Sequence, residues 1–162
     1  MSTTLSTVDA RGYLAGWLNA VTAMTIADIN AIPDEKWTMP FGGCSRPANA
    51  LLADTVTMLR WTIGALKGEE SAAYNEMDAL AGEFSDKAKG IASLNETVAT
   101  FAHALTSASD EALNSTVMTP WQMPTPLFMI ATIAVNHIWY HDGQFNYIQC
   151  MLGDEKVHWM GD

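Results

Sequence analysis

Apolar residues return every three or four positions along almost the whole chain, and no window alternates convincingly as a half-buried strand does. That period restricts the fold to helices packed through apolar stripes. The first is expected from about Thr7 to Ala31, capped by Ser6 or Thr7, with Leu14, Trp17, Leu18, Val21, Met24 and Ile29 inward. Ile32-Pro33 ends it, because the residue before a proline avoids helical dihedrals. Trp37 to Cys44, with Pro40 and Gly42-Gly43, reads as a loop. A second helix starts near a cap at Ser45, with Pro47 in its first turn, and runs to Lys67 before a stop at Gly68. Its stripe is Leu51, Asp54, Met58, Trp61 and Ala65. A third helix spans roughly Ile91 to Ser107, turning Leu94, Val98, Phe101 and Leu105 inward. The fourth runs from about Thr125 to Leu152 and closes at Gly153.

Four such helices in 162 residues predict a single all-α domain, a four-helix bundle. The connection from Gly68 to Gly90 is long, with a short extra helix around Ala72 to Ala81. It can carry the chain back along the bundle, so the second and third helices can run parallel in an up-down-down-up order. A second connection, Ser109 to Pro126, is rich in proline near its end.

Charge narrows the partners. Eight basic residues against 18 acidic ones leave a net charge of −10, which repels a phosphate backbone and disfavours anionic membrane surfaces. No nucleic-acid or membrane partner is expected, and no apolar run reaches the roughly 18 residues of a membrane span. Met1 to Thr7 has no basic segment followed by an apolar one, so no signal peptide is expected. Two cysteines, Cys44 and Cys150, cannot form a disulfide framework, and the chain reads as cytoplasmic with free thiols.

Chemistry concentrates in His137-Ile138-Trp139-Tyr140-His141-Asp142-Gly143-Gln144. Histidines four apart lie one above the other on a helix and can chelate one metal ion. Ile130, Ile133 and Ile148 share their face, so the pair is expected to point inward, where bundles build their cofactor sites. Equally, His137 and His141 can line a hydrogen-bonded polar layer with Gln144. A metal needs a third ligand, and Asp54 is the best candidate, because an ionised carboxylate on an apolar stripe requires a cation. The set would be two imidazoles and one carboxylate with open positions. The competing reading turns Asp54 to solvent or pairs it with Arg60 or another base.

The remaining candidates are weaker. His103 lies off its helix's buried stripe, His158 sits in a short tail, and Cys150 is turned half a circle from His141. Cys44 precedes the second helix without a histidine nearby in sequence, which argues against a nucleophile. Met58 and Trp61 lie on the Asp54 stripe, and Trp121, in the proline-rich connection, is expected at the pocket mouth. No catalytic acid or base can be assigned.

His137, then His141-Asp142-Gly143-Gln144, Tyr147 and Leu152-Gly153 resemble the last helix of the DinB-like (DinB/YfiT) superfamily of metal-dependent enzymes. There the motif reads His-x-x-x-His-x-Gly-Gln. Ile32-Pro33 with Trp37, Ser45, and Leu51-Leu52-Ala53-Asp54 followed by Gly68 look like its second-helix region. The resemblance implies an up-down-down-up bundle, commonly a homodimer, with three histidines holding a divalent metal such as zinc or nickel. His137 and His141 match two of those ligands, whereas the first family histidine falls at Asp54. A carboxylate there favours harder metals such as iron or manganese, or marks a decayed site. Relatives activate a low-molecular-weight thiol, so the resemblance implies a small-molecule substrate and a thiol transferase or hydrolase activity. Gln144 would orient a ligand or bound water. The alternative is a non-catalytic dimeric bundle that binds a small molecule or persists as a stress-associated protein.

Overall fold

The structure, a computed structural model, describes residues 9–71 and 73–160. Four long helices carry the fold: α1 (Ala10–Ala31) and α2 (Ala48–Lys67) come first. A short α3 (Met77–Glu83), then α4 (Lys87–Ser107) and a short α5 (Asp110–Asn114) follow. A hairpin of β1 (Thr116–Met118) and β2 (Pro124–Pro126) leads directly into α6 (Leu127–Met151). The protein is all-α apart from that hairpin. Both α1 and α2 pack against α4 and α6, and the buried apolar side chains form one continuous cluster through all four. None of the described helices is long and apolar enough to cross a membrane.

Several ends differ from expectation, each for a local reason. The side chain of Asp9 accepts from the Arg11 amide at 3.1 Å and caps α1; Ser6 and Thr7 lie outside the described residues. Pro47, not Ser45, occupies the cap position of α2, while Ser45 Oγ accepts from the Phe41 amide at 2.7 Å and closes the preceding loop. Helix α4 begins a turn earlier than Ile91, because Asp86 caps it by accepting from the Lys89 amide at 3.2 Å. Gly90 therefore lies inside the helix. A Cβ there would come within 2.7 Å of Leu52 Cδ2, so the glycine permits the close approach of α4 to α2.

Trp17, expected in the core, is exposed and packs against Trp139 at 5.6 Å between ring centroids. The strands went unforeseen because each is only three residues long and two of the six are proline. Pairing is antiparallel, Thr116 opposite Pro126, and Gln122 takes the left-handed φ of 63° that closes the turn.

Two contacts fix the segment that enters α2. The indole Nε1–H of Trp37 donates to the Phe84 carbonyl at 2.6 Å, and the ring is only 1% exposed. The Trp37 carbonyl accepts from the Asn49 amide at 3.2 Å, while the Asn49 side chain donates to the Ala81 carbonyl at 2.8 Å. Together they tie the loop before α2 to α3.

Between α1 and α6 runs a polar seam that the sequence reading missed. Asp28 and Asp142 are both buried there. Asn146 Nδ2 donates to Asp28 Oδ2, and Gln149 Nε2 donates to the Asp28 carbonyl at 2.7 Å. The Oδ1 atoms of both carboxyls have no partner among the described residues, and the two side chains lie within hydrogen-bond reach, so a proton on one carboxyl can bond to the other. Burial, then the charge of Asp28, pushes the Asp142 carboxyl up to about 6; burial also raises Asp28.

Two stability predictions follow from these contacts. Trp37→Phe leaves the Phe84 carbonyl without its buried donor and removes packed volume, costing about 2–3 kcal/mol, to be read as a lower denaturant midpoint at unchanged slope. The unfolded chain releases the Asp142 proton near pH 4, roughly the ordinary carboxylate value, and the folded chain only near 6. The stabilisation from that proton is complete below the lower value and lost as pH rises through the upper one. Across this window, the thermal midpoint of the wild type should fall relative to that of Asp142→Asn, whose amide can donate to Asp28 at any pH.

Candidate metal centre

Helix α6 sets His137 and His141 one turn apart, and α2, packed against it, presents Asp54 to both. His137 Nε2 lies 3.5 Å from Asp54 Oδ1, and His141 Nε2 lies 3.3 Å from Asp54 Oδ2. The two Nε2 atoms are 2.9 Å apart. The His141 side chain is 3% exposed, Asp54 16% and His137 25%, so the cluster is closed on one side and reachable on the other. Contrary to the stripe argument, α2 is buried almost all round, and Asp54, Trp61 and Ala65 lie on its half-buried side. The aspartate stands at the rim of the core.

Hydrogen bonding dictates what the cluster needs. Gln144 Nε2 donates to the Tyr140 hydroxyl at 3.3 Å, which leaves its carbonyl oxygen facing His141 Nδ1 at 2.6 Å. That oxygen can only accept, so Nδ1 carries the proton, and in a neutral His141 the lone pair is on Nε2. This lone pair faces a carboxylate oxygen 3.3 Å away, which also has only lone pairs to offer. The lone pair can accept from a His137 Nε2–H at 2.9 Å, or the facing acceptors can share a cation, a proton or a metal ion.

The three donors fit a metal. Bonds of about 2.0–2.1 Å at tetrahedral angles separate ligand atoms by about 3.3 Å; here the two Nε2 atoms are 2.9 Å apart and each has a different oxygen of Asp54 at 3.5 or 3.3 Å. Among the described residues, Asp54, His137 and His141 form the one group of at least three such side chains close enough to share an ion.

A fourth residue joins them. Arg46, just before Pro47, donates through Nη1 to Asp54 Oδ2 at 2.6 Å and through Nη2 to the Ala50 carbonyl at 2.7 Å. Asp54 thus combines both competing expectations: it faces the histidines and it pairs with a base, which is Arg46. Arg60 instead donates to Ser93 Oγ at 3.1 Å. Burial pushes the Asp54 carboxyl up, but hydrogen bonds from His137, from His141 when its ring is protonated, and from Arg46 outweigh it and hold the group well below the usual carboxylate range. Arg46 carried no sequence signal beyond its place in the turn before the helix that bears Asp54.

The expected pocket residues divide. Gln144 and Arg46 line a cleft of about 480 Å³ that opens beside the cluster. Met58 is buried, and Tyr74 donates to its sulfur at 3.1 Å. Burial, and then the charge of Asp54, pushes the Tyr74 phenol up to about 12. Trp61 borders two other surface depressions with Ser71 and Met118. Its ring packs against Trp121, 44% exposed, at 6.5 Å. His103 is exposed, and His158 lies 2.7 Å from Asp154. Cys44 and Cys150 are free and exposed, Cys44 on the cleft wall.

Structural comparison supplies a likeness of fold. A crystal structure of the mycothiol-dependent maleylpyruvate isomerase superposes with a TM-score of 0.65 over 83% of this chain and 60% of that chain, at 14% identity. A variant of that isomerase with one histidine replaced by alanine superposes over the same shares with a TM-score of 0.64. No family model matches the sequence, and no curated protein does. The chain spans about 60% of the length of the structures it resembles. The likeness is one of fold.

Proposed function

We propose that this chain is a DinB-like enzyme in which Asp54, His137 and His141 hold one divalent ion that activates a low-molecular-weight thiol for transfer to, or isomerisation of, a small substrate. The reading is carried by the convergence of His141 Nε2, Asp54 Oδ2 at 3.3 Å from it and His137 Nε2 at 2.9 Å, three groups that a shared cation would satisfy together. The fold likeness to a mycothiol-dependent enzyme supports thiol rather than water as the activated group. When bound, the ion would lower the pKa of a coordinated thiol.

The chain's own residues do the rest. Gln144 fixes the tautomer and rotation of His141, the work of an outer-shell partner. Asp54 supplies the one negative charge, and Arg46 holds that carboxylate in place. The imidazoles suit zinc or nickel, and the carboxylate admits iron or manganese. We take the scaffold to be a single-domain, up-down-down-up four-helix bundle, supported by the packing of both α1 and α2 on α4 and α6. A cytoplasmic homodimer completes the reading.

One observation favours the second reading, a non-catalytic bundle with a lapsed site. Arg46 already neutralises Asp54, and a proton on His141 would satisfy the remaining lone pairs without metal. Elemental analysis of untagged protein separates the two, with near one equivalent of metal expected in the wild type. His137→Ala and His141→Ala should each weaken metal binding by more than the about 10- to 100-fold that loss of an outer-shell partner costs, and Gln144→Leu by about that amount. Metal-free wild type rejects the enzyme reading, and unchanged metal in Asp54→Asn removes Asp54 from the ligand set. In cobalt-substituted protein, added small thiol should produce a thiolate-to-metal absorption band; its absence would shift the reading to activated water and hydrolysis.

A further inference from the structure

Resting on the metal reading, we propose that the cleft beside the cluster admits a small organic carboxylate with an apolar body, and that Arg46 receives its charge. The cleft, about 480 Å³, is walled by Phe41, Leu51, Ile148 and Met151, with Arg46 and Gln144 among its polar groups. A volume of this size is typical of small-molecule sites, where apolar walls bind the body and a few polar groups set orientation.

Arg46 is the one charged side chain in that lining, on a chain whose net charge is −10. An acidic protein that opens a cleft with only a positive charge in its wall repels anions broadly and welcomes them at one place. The guanidinium is also incompletely used. Its bonds to Asp54 and Ala50 engage two of its five N–H groups. Among the described residues no other acceptor takes the remaining three, and its side chain is 40% exposed. Those donors are enough for the two parallel bonds that a carboxylate makes best, without release of Asp54.

Charge counting points the same way. Without an ion, Arg46 and Asp54 cancel. A dication beside two neutral imidazoles leaves the group with a surplus of two positive charges in a half-buried place, of which a coordinated thiolate would relieve one and an anionic substrate the other. A neutral substrate would leave both the surplus and the guanidinium donors unmatched. Arg46 is therefore a specificity-determining residue that joins the substrate's charged end to the ligand Asp54.

Phenylacetate and its uncharged near-isostere phenylacetamide test this by calorimetric titration, with metal content measured on the same samples. The wild type should bind phenylacetate at least about tenfold more tightly than the amide. Arg46→Gln, compared at matched metal content, should lose that preference, and Arg46→Lys should keep part of it. Equal affinity of the wild type for the two probes overturns the proposal, and this arm does not depend on any variant folding. A preference that persists in Arg46→Gln also overturns it, because the anion would then be held by the metal alone. Wild type that retains no metal but still prefers the carboxylate through Arg46 refutes the metal site while supporting the anion site.

Discussion

A carboxylate stands where water reaches it only in part, and much of the molecule is arranged around that fact. Asp54 cannot remain ionised at the rim of the core without matched donors. The donors come from two separate places: imidazoles from α6 and a guanidinium from the turn that enters α2. Each brings a structural obligation. The imidazoles require α2 and α6 to pack side by side, and the guanidinium requires the loop before α2 to be held still. Trp37 meets the second requirement, anchored on the Phe84 carbonyl and on the first turn of α2. An interaction outside the cluster thereby helps to set the position of a residue within it.

The long helices were legible in the sequence because their period is dictated by burial. Leu94, Val98, Phe101 and Leu105 face the core as their spacing requires, and Gly68 and Gly153 stop α2 and α6 with positive φ. The histidine pair and its glutamine could be read for the same reason, since a helix fixes which residues share a face. What escaped was whatever depends on partners distant in sequence. Arg46 reaches Asp54 from eight positions away across a proline, and no periodicity records that. Asp28 meets the polar residues of α6 across an interface 118 positions long in sequence. Strands of three residues are too short to alternate visibly, and Trp17 shows that an apolar residue on the expected stripe can still end at the surface against another aromatic ring. Local caps went astray because several neighbouring polar side chains compete for one amide, and only the folded chain decides among them.

Helix α6 serves two interfaces at once. Toward α2 it offers His137, His141 and Gln144; toward α1 it offers Asp142, Asn146 and Gln149. His141 and Asp142 are neighbours in the chain, about 100° apart around the helix, yet face different partner helices, each buried. Polar groups so placed are directional in a way that leucines are not, because each must find its own partner rather than any apolar surface.

This double seam acts as a keyway. A helix that is greasy all round can roll under load, whereas here a turn of about 100°, the angle between successive residues, would strip both sets of bonds together. The shaft carrying the imidazoles is locked against rotation, so loosening the seam on one side would misalign the groups on the other.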